Sequence, residues 1–106
     1  MFEDENIDFI ICAAGGEFIT EILPYVDFNK IVTNPKWVQG FSDPQGILFP
    51  ITTKYDIATL YGFNAGSFDN DELHESQKNF LNIVKGNIPI QNSYDLYESD
   101  KSKRSI

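Results

Sequence analysis

Cysteine, histidine and tryptophan each occur once in these 106 residues, as Cys12, His74 and Trp37. A lone cysteine excludes an intramolecular disulfide, and a lone histidine leaves one imidazole for acid–base work within the chain. Basic residues are scarce as well: eight Lys and Arg face sixteen Asp and Glu, for a net charge of −8. That field repels phosphate backbones and anionic headgroups, so neither nucleic acid nor a membrane surface is an expected partner. The one basic cluster, "KSKR" at residues 101–104, sits in a polar stretch and reads as a solvated end. No apolar run approaches the length of a membrane span. The opening "MFEDENID" is acidic where a secretory signal would be basic and then apolar, so a cytoplasmic location is expected.

What is present belongs to a globular chain. Nine Phe and five Tyr supply the aromatic surface that disordered segments lack. The length suits one small domain with a thin core. "IDFIICAAGG" holds Ile7, Phe9, Ile10 and Ile11 in a nearly unbroken apolar run, as in a strand buried on both faces of a parallel sheet, and Gly15 and Gly16 stop it. Phe18, Ile19, Ile22 and Leu23 then recur at helical spacing until Pro24 limits the helix, and "DFNKIVTN" adds a further turn before Pro35. A second strand is expected over 36–40. Asp43 reads as the N-cap and Pro44 as the first residue of a helix through "PQGILFPITTKY", kinked by Pro50, with Gly46 relieving the crowding four residues back. A third strand over 58–61, a loop "NAGSFDN" and a helix in "DELHESQKNFLNIVKG" ended by Gly86 complete the pattern. Strands alternating with helices predict an α/β fold: a parallel sheet with flanking helices, in three layers. The composition from Asn87 onward turns polar, which divides the chain into a domain over 1–86 and a linker or tail over 87–106.

Ligands of such sheets bind beyond the carboxyl ends of the strands, which singles out Gly15–Gly16 and Ser42–Asp43. In "WVQGFSDPQG" the hydroxyl of Ser42 falls between strand and helix. It reads either as an ordinary cap or turn hydroxyl, or as a nucleophile beside the free N–H groups of a helix start. The second glycine of the familiar hydrolase elbow is missing, and the local pattern leaves both readings open. His74 reads as a surface helix residue beside Glu75, and Cys12 as a buried, inert thiol. Asp69, Asp71 and Glu72 read as acidic bias at a helix start, so no metal and no cofactor is assigned.

Several blocks in order carry a family resemblance: "IDFIICAAGGE", "ILPYVDFNKIVTNPKWVQGFSD", "ATLYG" and "LHESQKNFLNIVKG". The chain resembles the LD-carboxypeptidase family of serine peptidases, which includes the microcin C immunity proteins. The resemblance implies an incomplete flavodoxin-like nucleophile domain in which Ser42 is the nucleophile of a Ser-Glu-His triad. It further implies that the N–H groups of Asp43 and Gly16 form the oxyanion hole. The substrate class implied is a peptide or muropeptide-like conjugate that loses a C-terminal residue. Two departures bear on that substrate: Ala14 stands where many members carry arginine, and Gly62-Phe63 where many carry glycine-proline. Members are about three times as long by the domain-size logic of a two-domain enzyme. They draw the triad's glutamate and histidine from a C-terminal domain, which no residue here matches. The expectation is therefore a fragment of such a peptidase, with an inactive remnant or an interaction module as the alternative. Apolar surface left by absent strands makes a homo-oligomer the expected state.

Overall fold

Among residues 1–90, which the computed structural model describes, the three stretches expected as strands lie side by side. β1 (Phe9–Ile11), β2 (Trp37–Gly40) and β3 (Leu60–Tyr61) form a parallel sheet in the order β1-β2-β3. The register sets Ile10 opposite Val38, Ile11 opposite Gln39 and Gly40 opposite Tyr61. The ladder runs on past the strand ends, with the Cys12 N–H donating to the Gln39 carbonyl and the Gly62 N–H to the Gly40 carbonyl. As the middle strand, β2 has Val38, Gln39 and Gly40 all buried, which is what an apolar run flanked by two parallel neighbours requires. β3 is shorter than the expected 58–61, because its pairing with β2 begins only at Gln39.

Among the described residues four α-helices join these strands or follow them. α1 (Ile19–Ile22) is one turn long and passes into a 3₁₀ turn, Leu23–Tyr25, that contains Pro24. α2 (Phe28–Thr33) is opened by Asp27, whose carboxylate accepts from the Asn29 N–H at 3.1 Å. α3 (Gln45–Tyr55) crosses from β2 to β3 and runs through Pro50 as one continuous helix. Ile10 and Val38 pack on Leu48 of α3, with Phe2 and Ile7 against that cluster, and Ile31 and Ile51 are buried as well. Both α1 and α2 touch α3, which itself packs on β2 and β3, so the parallel sheet with flanking helices is as expected.

One reading at α3 is corrected and another is extended. Asp43 does not cap its own helix: Pro44 occupies the cap position, and the Asp43 carboxylate instead accepts from the Ile19 N–H at 3.1 Å. That bond gives α1 the acceptor that its own N-cap residue, Phe18, does not have. Gly46 answers to α1 as well, since a β-carbon there would sit 2.5 Å from Ile19 Cγ2.

The chain divides into two compact units, Met1–Glu72 and Leu73–Ile106. In the first, the segment expected as a plain loop after β3 contains a 3₁₀ turn, Ala65–Phe68. In the second, α4 (Glu75–Val84) starts later than the sequence suggests: His74 is its N-cap rather than a residue within it. Nδ1 of His74 accepts from the Ser76 N–H, and Gln77 Oε1 accepts from the His74 N–H at 2.6 Å, a reciprocal capping box. Asp69, Asp71 and Glu72 therefore precede the first turn, where only Glu75 sits. Gly86, at φ +83°, ends the helix as expected. The basic cluster at 101–104 and most of the 87–106 tail lie outside the described residues. Among the described residues no helix is long and apolar enough to cross a membrane.

Candidate functional site

Parallel strands release their chains at one edge of the sheet, so the loops after β1 and β2 are brought together by topology alone. The contact is close. A β-carbon at Gly15 would lie 3.3 Å from Ser42 Cβ and 3.6 Å from its Oγ, and one at Gly16 would lie 3.1 Å from Asp43 Oδ2. The paired glycines are thus spaces that Ser42 and Asp43 occupy. The same Asp43 carboxylate reaches Ile19, and so ties the elbow to the chain leaving the glycine loop.

Ser42 stands exposed on the turn between β2 and α3 with φ +68°, a left-handed conformation that few residues other than glycine adopt. Its carbonyl accepts from the Gln45 N–H at 3.0 Å, so the sharp reversal leads straight into the helix. Neither the Ser42 hydroxyl nor the N–H groups of Asp43 and Gly16 have a partner among the described residues. Gly40 makes the reversal possible: a β-carbon there would lie 2.5 Å from Pro44 Cβ and 3.1 Å from Cys12 Sγ. Cys12, packed against that glycine, has its thiol pKa pushed up by burial.

A third loop joins the first two. Asn64, buried, accepts from the Phe41 N–H through Oδ1 at 2.8 Å and donates from Nδ2 to the Phe41 carbonyl at 3.2 Å. The Ala65 and Gly66 N–H groups donate to the Cys12 and Ala13 carbonyls at 2.9 and 3.0 Å. Sequence reading assigns no contact to residues 62–69, and its one usable signal is an amide side chain three residues after a strand. Gln39, also wholly buried, donates from Nε2 to the Phe63 carbonyl at 2.6 Å, with Gly62 lying against its amide. Phe41, Tyr61, Gly62, Phe63 and Ser67 line a cavity of about 360 Å³ next to the elbow. The rings of Phe41 and Tyr61 stand 5.3 Å apart on its wall. A second cavity, lined by Asp8, Lys36, Trp37 and Ala58, lies at the amino ends of the strands, away from Ser42.

The charged side chains of the three loops, Glu17, Asp43 and Asp69, are all acidic. None of the three loops offers a cation, and Ala14 in the glycine loop is uncharged. His74 belongs to the second unit, where its ring caps α4, and Met1–Glu72 contains no other histidine.

A parallel sheet that turns through an exposed serine into a helix defines the class of α/β domains built on a strand-serine-helix elbow. Within that class, the LD-carboxypeptidase N-terminal domain matches residues 1–62, more than half of the chain, and the chain belongs to that family. The microcin C7 self-immunity protein MccF of Escherichia coli is 35% identical over 57 residues, covering 54% of this chain and 17% of that protein. A Vibrio cholerae protein bearing the name "Putative carboxypeptidase" is 31% identical over 62 residues, 58% of this chain and 19% of its own length. A Treponema pallidum protein of the same name is 31% identical over 67 residues, 63% of this chain and 20% of its own. The chain thus spans about a fifth of the length of these relatives. No match to a solved structure reaches significance.

Proposed function

We propose that residues 1–86 are the nucleophile-bearing part of a serine carboxypeptidase of the LD-carboxypeptidase type, followed by a linker, with Ser42 as nucleophile. The observation that supports it best is Ser42 itself, exposed at φ +68° against the Gly15–Gly16 loop at the carboxyl edge of the sheet. In this reading Ser42 Oγ attacks the carbonyl carbon of the bond to a C-terminal residue. The Asp43 and Gly16 N–H groups hold the oxyanion of the tetrahedral intermediate. A general base takes the hydroxyl proton and returns it to the departing amine. A peptide, a muropeptide or a microcin-like conjugate fits this chemistry.

The base is the missing part. Met1–Glu72 holds no histidine, and a serine hydroxyl without a base is almost wholly protonated at neutral pH. The second reading is an inactive remnant or interaction module, which turnover by the chain joined to a C-terminal domain would separate from the first. Self-association also belongs to the proposal, with Phe18, Tyr25, Phe49 and Tyr61 all exposed, and sedimentation measures it.

The test compares the chain alone with the chain joined to the C-terminal domain of the Escherichia coli relative. Each is assayed for release of the terminal residue from an LD-linked tetrapeptide and for cleavage of microcin C7. The expected result is negligible turnover alone, and turnover by the joined protein that disappears in Ser42→Ala. A folded joined protein that cleaves neither substrate, or cleaves equally well with Ala at position 42, refutes the peptidase reading and leaves the remnant.

A further inference from the structure

A left-handed conformation at Ser42 is not self-sustaining, because its β-carbon crowds the backbone and the turn relaxes unless the flanking peptides are held. On one side they are held by the first turn of α3, through the Ser42 carbonyl. On the other side the sheet can no longer do so: β3 ends at Tyr61, paired with Gly40, and Phe41 has no strand neighbour. Asn64 takes that place. Its carboxamide, 8% exposed, satisfies both the N–H and the carbonyl of Phe41. Ala65 and Gly66, next in sequence, are bonded to Cys12 and Ala13 on the chain that leads into the glycine loop.

We infer that Asn64 is a positioning residue, whose carboxamide holds Ser42 in its left-handed conformation and sets the spacing between the Asp43 and Gly16 amides. The inference rests on the reading of Ser42 as the nucleophile. An amide is the side chain the position needs, since it presents one acceptor and one donor to the two groups of a single residue. A carboxylate would accept from the N–H and set its second oxygen against the Phe41 carbonyl. A leucine would leave both part-buried backbone groups without that partner.

The test uses the whole 106-residue chain and needs no turnover. Glycine adopts positive φ freely, so Ser42→Gly relieves strain and raises Tm by about 4 °C wherever the elbow is held. In the Asn64→Ala background the elbow has already relaxed, and the same substitution raises Tm by less than about half as much. The three-bond HN–Hα coupling and Cα shift of Ser42 provide the direct signature. Both are expected to move toward extended-chain values in Asn64→Ala. Asn64→Ser keeps one hydrogen-bonding group and replaces Asn64→Ala if that variant does not fold, with a smaller loss of coupling expected. Equal Tm gains in both backgrounds, with the Ser42 coupling unchanged, overturn the inference. A chain that passes this test while the joined protein shows no Ser42-dependent turnover loses the peptidase reading and keeps the clamp; the opposite pair of results removes the clamp alone.

Discussion

Gly40→Ala tests how tightly the elbow is built. The added methyl meets Pro44 Cβ at 2.5 Å, Pro44 Cγ at 3.2 Å and Cys12 Sγ at 3.1 Å. None of these is the far end of a flexible chain: Pro44 is a ring fixed at the entry of α3, and Cys12 is bonded through its N–H to the Gln39 carbonyl. Relief therefore requires backbone to move, and overpacking of this kind costs about 1–3 kcal/mol. Against it stands the stiffer unfolded chain, a gain of about 0.4–1 kcal/mol for Gly→Ala. The net loss of about 1–2 kcal/mol corresponds to a fall in Tm of roughly 5–15 °C for a domain of this size. Thermal unfolding followed by far-UV circular dichroism reads it directly. Gly62→Ala is the matched control, because a β-carbon there lies 3.6–3.8 Å from the Gln39 amide, an ordinary contact; its Tm should match or slightly exceed the parent's. If Gly40→Ala melts at or above the parent temperature, the close approach of β2 and α3 is not a constraint and the reasoning fails.

Other substitutions separate the roles of neighbouring groups. Asp43→Ala removes the acceptor for the Ile19 N–H and keeps the backbone N–H at position 43. Loss of such a cap costs about 1 kcal/mol, which unfolding in urea would detect as a lower midpoint at an unchanged slope. Burial holds the Cys12 thiol pKa above its ordinary value of 9.0, so iodoacetamide should label the native chain far more slowly than the urea-unfolded chain at pH 8.5. Because the unfolded thiol ionises first, stability should fall as pH rises from about 9 toward the folded value, a slope that Cys12→Ala removes.

Much of the sheet is legible in the chain itself. Ile7 to Ile11 and Trp37 to Gly40 are short apolar runs bounded by glycine or proline, and local composition of that kind selects a buried parallel strand whatever surrounds it. Helix ends set by Asp27 and Gly86 are equally local, since each side chain or φ acts within a few residues. The meeting of Ser42 with Gly15 and Gly16 follows from parallel order, once three strands are granted. Where reading failed, the deciding partner was distant in sequence. Asp43 has the composition of a cap for α3, yet its carboxylate accepts from the Ile19 N–H at the start of α1. Gly46, read as an accommodation to Pro50, is also the surface on which Ile19 rests.

Sequence by itself therefore determined the element order, the class of fold and the serine between strand and helix, because propensity, periodicity and punctuation act over a few residues. Tertiary structure alone decided what holds that serine. A hydrogen bond between Asn64 and Phe41, or a contact between Gly46 and Ile19, depends on where the chain returns after a crossover. No local pattern encodes that return, since many residues of the same type would satisfy the same turn and only packing selects which one faces the elbow.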